Sequence, residues 1–294
     1  MSMFLITALS IGNLAFDNRN FVLQEVKGLE SPMLRLPRYN LPAQSGAAIS
    51  NALYGERAIS IKGMVITPDG TPASLSQLVY LTNRSTLINA LSYQRDISGN
   101  LIPQTMTVTL ANGITVTCQV FQDKPLQLAF SQGQPDFEDF QITLVAPDPN
   151  LYSATVTSAN VGLAVGGGTA VPTHMPISLA SSSGGQITVN NNGANTAYPI
   201  ITLTGPLTNP FIANLTTNQF MQLNMTIGGT ASPVVINMTP GVQTILQGTS
   251  DVSANKTLNS TFWGLLAGSN SIGFSASAGS GTANASFFPS YSGV

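Results

Sequence analysis

Ala146-Pro147-Asp148-Pro149-Asn150 decides how this chain is organised. Two prolines in three residues stop a helix or a central strand from running through, because each lacks a backbone N–H and restricts the residue before it. Charge changes at the same place. Residues 1–148 carry 11 acids and 9 bases, whereas residues 149–294 carry only Asp251 and Lys256. Stereochemistry and composition therefore predict two domains, 1–148 and 149–294, and 294 residues suffice for two cores.

Upstream of the break the pattern is mainly β with one helix. Phe4 to Ala8, Phe21 to Val26 and Arg57 to Ile66 read as strands from their β-branched and aromatic content, and Gly46 to Gly55 reads as a connecting loop. Thr71-Pro72 supplies a cap with proline in the first turn, and Ser74 to Gln77 has capping-box spacing. Leu75, Leu78, Leu81, Ile88 and Leu91 then recur at helical spacing, which predicts that this face covers a sheet. Thr105 to Leu110 and Ile114 to Phe121 flank Ala111-Asn112-Gly113, a link suited to a tight hairpin. Leu126 to Phe130 and Phe137 to Val145 form a second antiparallel pair around Ser131 to Asp136.

Downstream, short alternating segments follow one another without a helical pattern. They are Gln186 to Asn190, Pro199 to Thr204, Phe211 to Asn214, Phe220 to Ile227, Val234 to Asn237, Gln243 to Leu246, Thr261 to Leu265, Ser271 to Ser275 and Ala283 to Phe288. Such spacing signals a sandwich or barrel. The glycine- and serine-rich stretches Gly166 to Gly168 and Ser181 to Gly185 read as loops of that domain. Thr, Ser and Asn on the outer faces would keep it hydrated without charge. Phe287 to Tyr291 is aromatic enough to dock rather than fray.

Composition excludes several function classes. A net charge of −2 offers no basic field for a run of phosphates, so nucleic-acid binding is not expected. Met1 to Ser10 lacks the basic start of a secretory signal, and no segment has about 20 uninterrupted apolar residues for a membrane span. The sequence thus reads as that of a protein made in a cytoplasm and soluble there. Cys118 is the single cysteine and lies on the even-numbered face of an alternating run, as a small buried hydrophobe would. His174 is the single histidine, between Pro172 and Pro176, with Asp148 its nearest acid in sequence, which is poor material for a catalytic triad. Asp136, Glu138 and Asp139 could in principle hold a hard cation, though a solvated strand edge or an intersubunit ion pair explains them as well. Paired glycosidase carboxylates are conceivable only in the first half, and no glycine-rich phosphate loop precedes a helix. No catalytic residue, cofactor or metal ligand is assigned, and an enzyme is not expected.

Several motifs carry a family resemblance. Asn192-Gly193-Ala194-Asn195-Thr196-Ala197-Tyr198-Pro199, continuing through Gly205-Pro206 and Asn209-Pro210, and then Phe262-Trp263-Gly264-Leu265-Leu266-Ala267-Gly268-Ser269-Asn270-Ser271-Ile272, resemble the C-terminal domain of distal tail proteins of long-tailed (siphovirus-type) bacteriophages. Gly55-Glu56-Arg57-Ala58-Ile59-Ser60-Ile61-Lys62-Gly63 and Pro147-Asp148-Pro149-Asn150-Leu151-Tyr152 look like the N-terminal domain of the same family. Physically, Asn192-Gly193 and Asn195 provide turn conformations, Gly205-Pro206 ends a strand, and Gly268-Ser269-Asn270 reads as a turn after Phe262 and Trp263 on a strand. Trp263 reads as a core anchor rather than a sugar-stacking platform.

The resemblance implies a mainly β fold: a β-rich ring-forming domain with one α-helix, then a galectin-like β-sandwich. It implies a homohexameric ring in the virion, at the tail tip or baseplate, that joins the tail tube above to a tip or tail-associated protein below and is assembled in the host cytoplasm. The first-half charges would then set subunit register. The sequons at Asn214, Asn224, Asn237, Asn259 and Asn284 would be without meaning in a bacterial host. An alternative is a carbohydrate- or receptor-binding module that grips host-surface glycans, with Tyr198, Phe211, Phe220, Trp263 and Phe274 as its aromatic candidates, although these alternate as core residues do. A wall-degrading enzyme is a third class.

Overall fold

The computed structural model describes residues 5–40, 45–49, 52–128, 137–163 and 185–294. Two compact units form: Met1–Ala154 together with Tyr291–Val294, and Thr155–Ser290. The sequence reading divides the chain at 148/149, six residues earlier, and leaves open whether the C-terminal residues return. The prolines do end a strand at Ala146, but Leu151–Ser153 then pairs with the first unit through Val116↔Ser153 and Thr117↔Tyr152.

The first unit contains strands β1 (Ile6–Ile11), β2 (Leu14–Phe16), β3 (Phe21–Lys27) and β4 (Arg57–Ile66), helix α1 (Ala73–Ala90), and strands β5 (Gln104–Leu110), β6 (Thr115–Leu128) and β7 (Phe137–Ala146). They pair antiparallel in the order β2-β1-β5-β6-β7-β4-β3. Strand β6 serves twice, pairing with β5 over Thr115 to Val120 and with β7 over Phe121 to Leu128. Its register shifts on both sides of Lys124, next to Pro125, where a missing N–H is tolerated because the ladder is already interrupted. Both halves of the bent strand bury one core that includes Ile59, Ile61, Val108, Val116, Ile142 and Leu144. The ends of the path approach each other there: the Phe16 and Phe21 rings lie 6.3 Å apart, edge to face, and Phe16 also meets Phe140 at 6.0 Å.

The β5–β6 hairpin forms as its sequence requires. Gly113 N donates to Leu110 O, Gly113 takes φ +84°, and the Asn112 side chain accepts from Ile114 N. Glycine alone supplies the left-handed residue of this three-residue link. The expectation that 46–55 is a loop does not hold. Ala47–Ile49 pairs with Arg38–Asn40, and Leu53–Tyr54 pairs with Leu34–Arg35, making two short two-stranded ladders separate from the main sheet. The predicted turn at 131–136 lies outside the described residues.

The second unit is a β-sandwich. One sheet runs Thr157–Gly162, Thr282–Phe287, Ile200–Thr204, Val234–Asn237, Thr244–Gln247, Ser250–Asp251; the other runs Gln186–Asn191, Gly268–Ser275, Phe211–Asn214, Gln219–Gln222. A small third sheet joins Thr226–Ile227, Leu207–Thr208 and Ala278–Gly279. Inward residues such as Ile201, Leu203, Ile212, Ile236, Ile272 and Phe274 share one core with Trp263. Two sequence expectations fail locally. Thr261 to Leu265 is not a strand but an irregular segment with one bridge, Ala197↔Leu265, and Gly268 to Asn270 belongs to a strand instead of a turn. The glycine-rich stretch at 166–168 and residues 181–184 lie outside the described residues.

Candidate functional site: exposed apolar elements and pinned loops

Helix α1 has two unlike faces. Tyr80, Leu87 and Leu91 are buried against the sheet, and between them Asn83 donates to Ile66 O and to the Asn20 side chain. Tyr80 Oη donates to Glu138 Oε2 at 2.7 Å, and Arg84 Nε approaches the same oxygen at 3.2 Å. Burial, then the bond to Glu138, pushes the Tyr80 phenol up to about 12. These polar pairs select the inward face. At 3.6 residues per turn, Leu75 and Leu78 fall on the far side and Leu81 and Ile88 on one flank, and all four are exposed. Of the predicted sheet-covering residues only Leu91 is buried. Pro72 at the helix N-cap makes no side-chain capping bond, and Thr71 bonds back to Pro68 O.

The short ladders at 34–54 are apolar as well. Met33, Tyr39, Ile49 and Leu53 are each more than 60% exposed. A two-stranded ribbon is marginally stable alone, so apolar side chains on such a ribbon call for a partner surface.

Other candidates resolve into structural roles. Glu138 and Asp139 point to opposite sides of β7, Glu138 buried and Asp139 exposed, so they do not converge on a cation, and Asp136 lies outside the described residues. Glu138 is thus neither a solvated edge nor an intersubunit partner. Among the described residues no group of three His, Cys, Asp or Glu could hold a metal ion, and no helix is long and apolar enough to cross a membrane. Cys118 is buried beside Val116 and Val120, and burial raises its thiol to about 11. His174 lies outside the described residues.

Arg57, in the Gly55 to Gly63 motif, is 1% exposed and holds together three separated segments. Its guanidinium donates to Gly28 O and Glu30 O, to Pro149 O at 2.8 Å, and to Ser292 O at 2.6 Å. Val294 N adds a bond to Leu29 O, and Tyr291 packs on the first core.

In the second unit three buried asparagines pin the segment that follows Trp263. Asn191 Nδ2 donates to Asn195 O and Leu265 O, and Asn214 Nδ2 to Gly264 O. Asn270 Nδ2 donates to Leu266 O and Gly268 O, while its Oδ1 accepts from Leu266 N. A Cβ on Gly264 would meet Thr196 Cγ2 at 2.4 Å, which excludes a larger residue from this close approach. Buried amides do here what charged groups do in the first unit. Of the aromatic candidates, Trp263 and Phe274 are buried, whereas Phe211 and Phe220 stack at 5.1 Å and are only half-buried. A shallow recess of about 380 Å³ beside Phe211 is lined by Asn209, Gln222, Ser275 and Ser277.

Two units, one an antiparallel sheet with a single helix and the other a sandwich inserted before Tyr291, define a mainly β protein with the fold of a phage distal tail protein. The likeness is to the crystal structure of the SPP1 Dit (gp 19.1) protein, described as a paradigm of the hub adsorption apparatus in phages infecting Gram-positive bacteria. It has a TM-score of 0.66 and 12% identity, covering 95% of this chain and 97% of that one. A chain of the phage P2 baseplate in its activated conformation with Ca matches with a TM-score of 0.49 and 11% identity, over 99% of this chain and 100% of that one. No protein-family model and no curated protein matches the sequence.

Proposed function

We propose that this chain is a structural protein of a phage tail, residing in the virion, and that its first unit builds a homohexameric ring between the tail tube and the tip or baseplate. The fold shared with SPP1 Dit over 95% of the chain carries this reading. The outward face of α1 and the apolar ladders at 34–54 support it, because both leave aliphatic and aromatic surface that a ring of copies would cover. In this reading the second unit is a galectin-like peripheral lobe, and the role is mechanical rather than catalytic.

Class averages of negatively stained particles and native mass would test it. Six-fold rings with peripheral lobes are expected, and a strictly monomeric chain at high concentration would count against the ring. Leu78→Glu with Leu81→Glu should weaken association by at least about a hundredfold, since each leucine contributes about 1.5–3 kcal/mol when covered. The melting temperature of the dissociated chain should stay unchanged, because both side chains are already exposed.

A second reading, glycan binding by the second unit, is favoured by the stacked Phe211 and Phe220 rings beside amide and hydroxyl groups. If host wall polysaccharide binds the full chain, Phe211→Ala should weaken it about tenfold. Absence of binding by the unaltered chain would remove this reading.

A further inference from the structure

The outer face of one sheet in the second unit carries polar side chains of two kinds. Across Gln186–Asn191, Gly268–Ser275, Phe211–Asn214 and Gln219–Gln222, the register sets Ser275, Phe211 and Gln222 in one row and Gln186, Gly273, Ala213 and Phe220 in the next. Phe211 and Phe220 are therefore diagonal neighbours, which is how their rings come to stack at 5.1 Å. Gln186 is already engaged, since its Nε2 donates to Ser271 Oγ at 2.6 Å. Around the recess of about 380 Å³ at Phe211, by contrast, Asn209, Gln222, Ser275 and Ser277 make no side-chain hydrogen bond among the described residues.

The backbone of this recess is held in place. Asn209 takes a left-handed φ of +48° while its N donates to Met225 O at 2.9 Å, and Ser277 N donates to Thr208 O at 2.9 Å. Phe220 stands outside the recess and backs the Phe211 ring. Amides and hydroxyls both donate and accept, as every sugar hydroxyl does, and an aromatic ring covers the C–H groups of a sugar. No Lys, Arg, Asp or Glu lines the recess. The unit's one base, Lys256, places its ammonium on Ser260 O at 3.0 Å and on Thr257 O at 3.4 Å. A phosphate, sulfate or uronate would give up water in the recess without meeting a cation.

We propose that the recess takes an uncharged sugar residue, with the Phe211 ring against its C–H groups and the Asn209 and Gln222 amides on its hydroxyls. This inference rests on the glycan reading of the second unit and narrows it to neutral saccharides.

An array of neutral oligosaccharides and their phosphate-, sulfate- and uronate-bearing counterparts, probed with the full chain, tests it. Neutral members should bind and acidic ones should not, and the affinity should change less than about twofold between about 0.1 M and about 1 M salt. Gln222→Ala should weaken binding about two- to tenfold at an unchanged melting temperature, because its amide has no partner to lose. Gln186→Ala, on the same face, should leave the affinity unaltered. A preference for acidic sugars, a steep fall with salt, or neutral binding that survives both Phe211→Ala and Gln222→Ala would overturn the proposal while leaving the glycan reading intact. A chain that binds nothing on the array would overturn both.

Discussion

Arg57→Ala should lower the unfolding midpoint of the first unit by roughly 6–12 °C. The guanidinium makes its bonds to four backbone carbonyls at 1% exposure, and no water can replace it without entering the core. Hydrogen bonds to a charged donor contribute about 1.5–3 kcal/mol each, and their loss leaves acceptors buried without partners. A conservative total of about 3 kcal/mol gives that shift in a unit of this size, at about 2–4 °C per kcal/mol. Burial lowers the Arg57 pKa, but an arginine remains charged, so the effect should be independent of pH through the neutral range. Arg57→Lys should fall between, because an ammonium cannot match the planar fork. Scanning calorimetry would resolve the two units as separate transitions, and a shift below about 2 °C would show that the carbonyls find other donors.

Trp263→Ala should destabilise the second unit by about 3–5 kcal/mol, the usual cost of deleting a large core aromatic. Trp263 is 1% exposed, and its indole N–H has no hydrogen-bond partner among the described residues, so the loss is one of packing. Trp263→Phe should therefore cost much less than Trp263→Ala. If the two substitutions cost the same, the indole is held by something other than its contacts. Because the chain has one tryptophan, the fluorescence of unaltered protein during denaturation reports the second unit directly. Calorimetry would follow the variants.

Strand positions were legible where alternation and turn chemistry agreed. Arg57–Ile66 matches the expected bounds, and the Asn112-Gly113 hairpin pairs as its turn residues require. Trp263 is the core anchor its bulk suggests. Aliphatic spacing alone points to the wrong helix face, because polar groups with partners decide which side turns inward. Asn83 and Arg84 are drawn inward by Ile66 O and Glu138, and this rotates the leucines outward. The ladders at 34–54 leave little mark on the sequence, since they contain few residues per strand and no sustained alternation. Arg57, Asn191, Asn214 and Asn270 could not be singled out by spacing at all. Their partners are carbonyls and N–H groups of distant or irregular segments, and backbone groups leave no mark on the sequence. Periodicity also could not foresee that 291–294 rejoin the first unit, a consequence of one arginine reaching Ser292 O.

That reach sets an order of events during synthesis. Ser292 leaves the ribosome only after every residue of the second unit, so Arg57 waits with one acceptor missing while the sandwich is made. The first unit is thus left ajar until the second has emerged. A truncation anywhere between 155 and 290 would leave the guanidinium partly unsatisfied even though all seven strands of the path from β2 to β3 are present, and such fragments should be the preferred prey of cellular proteases.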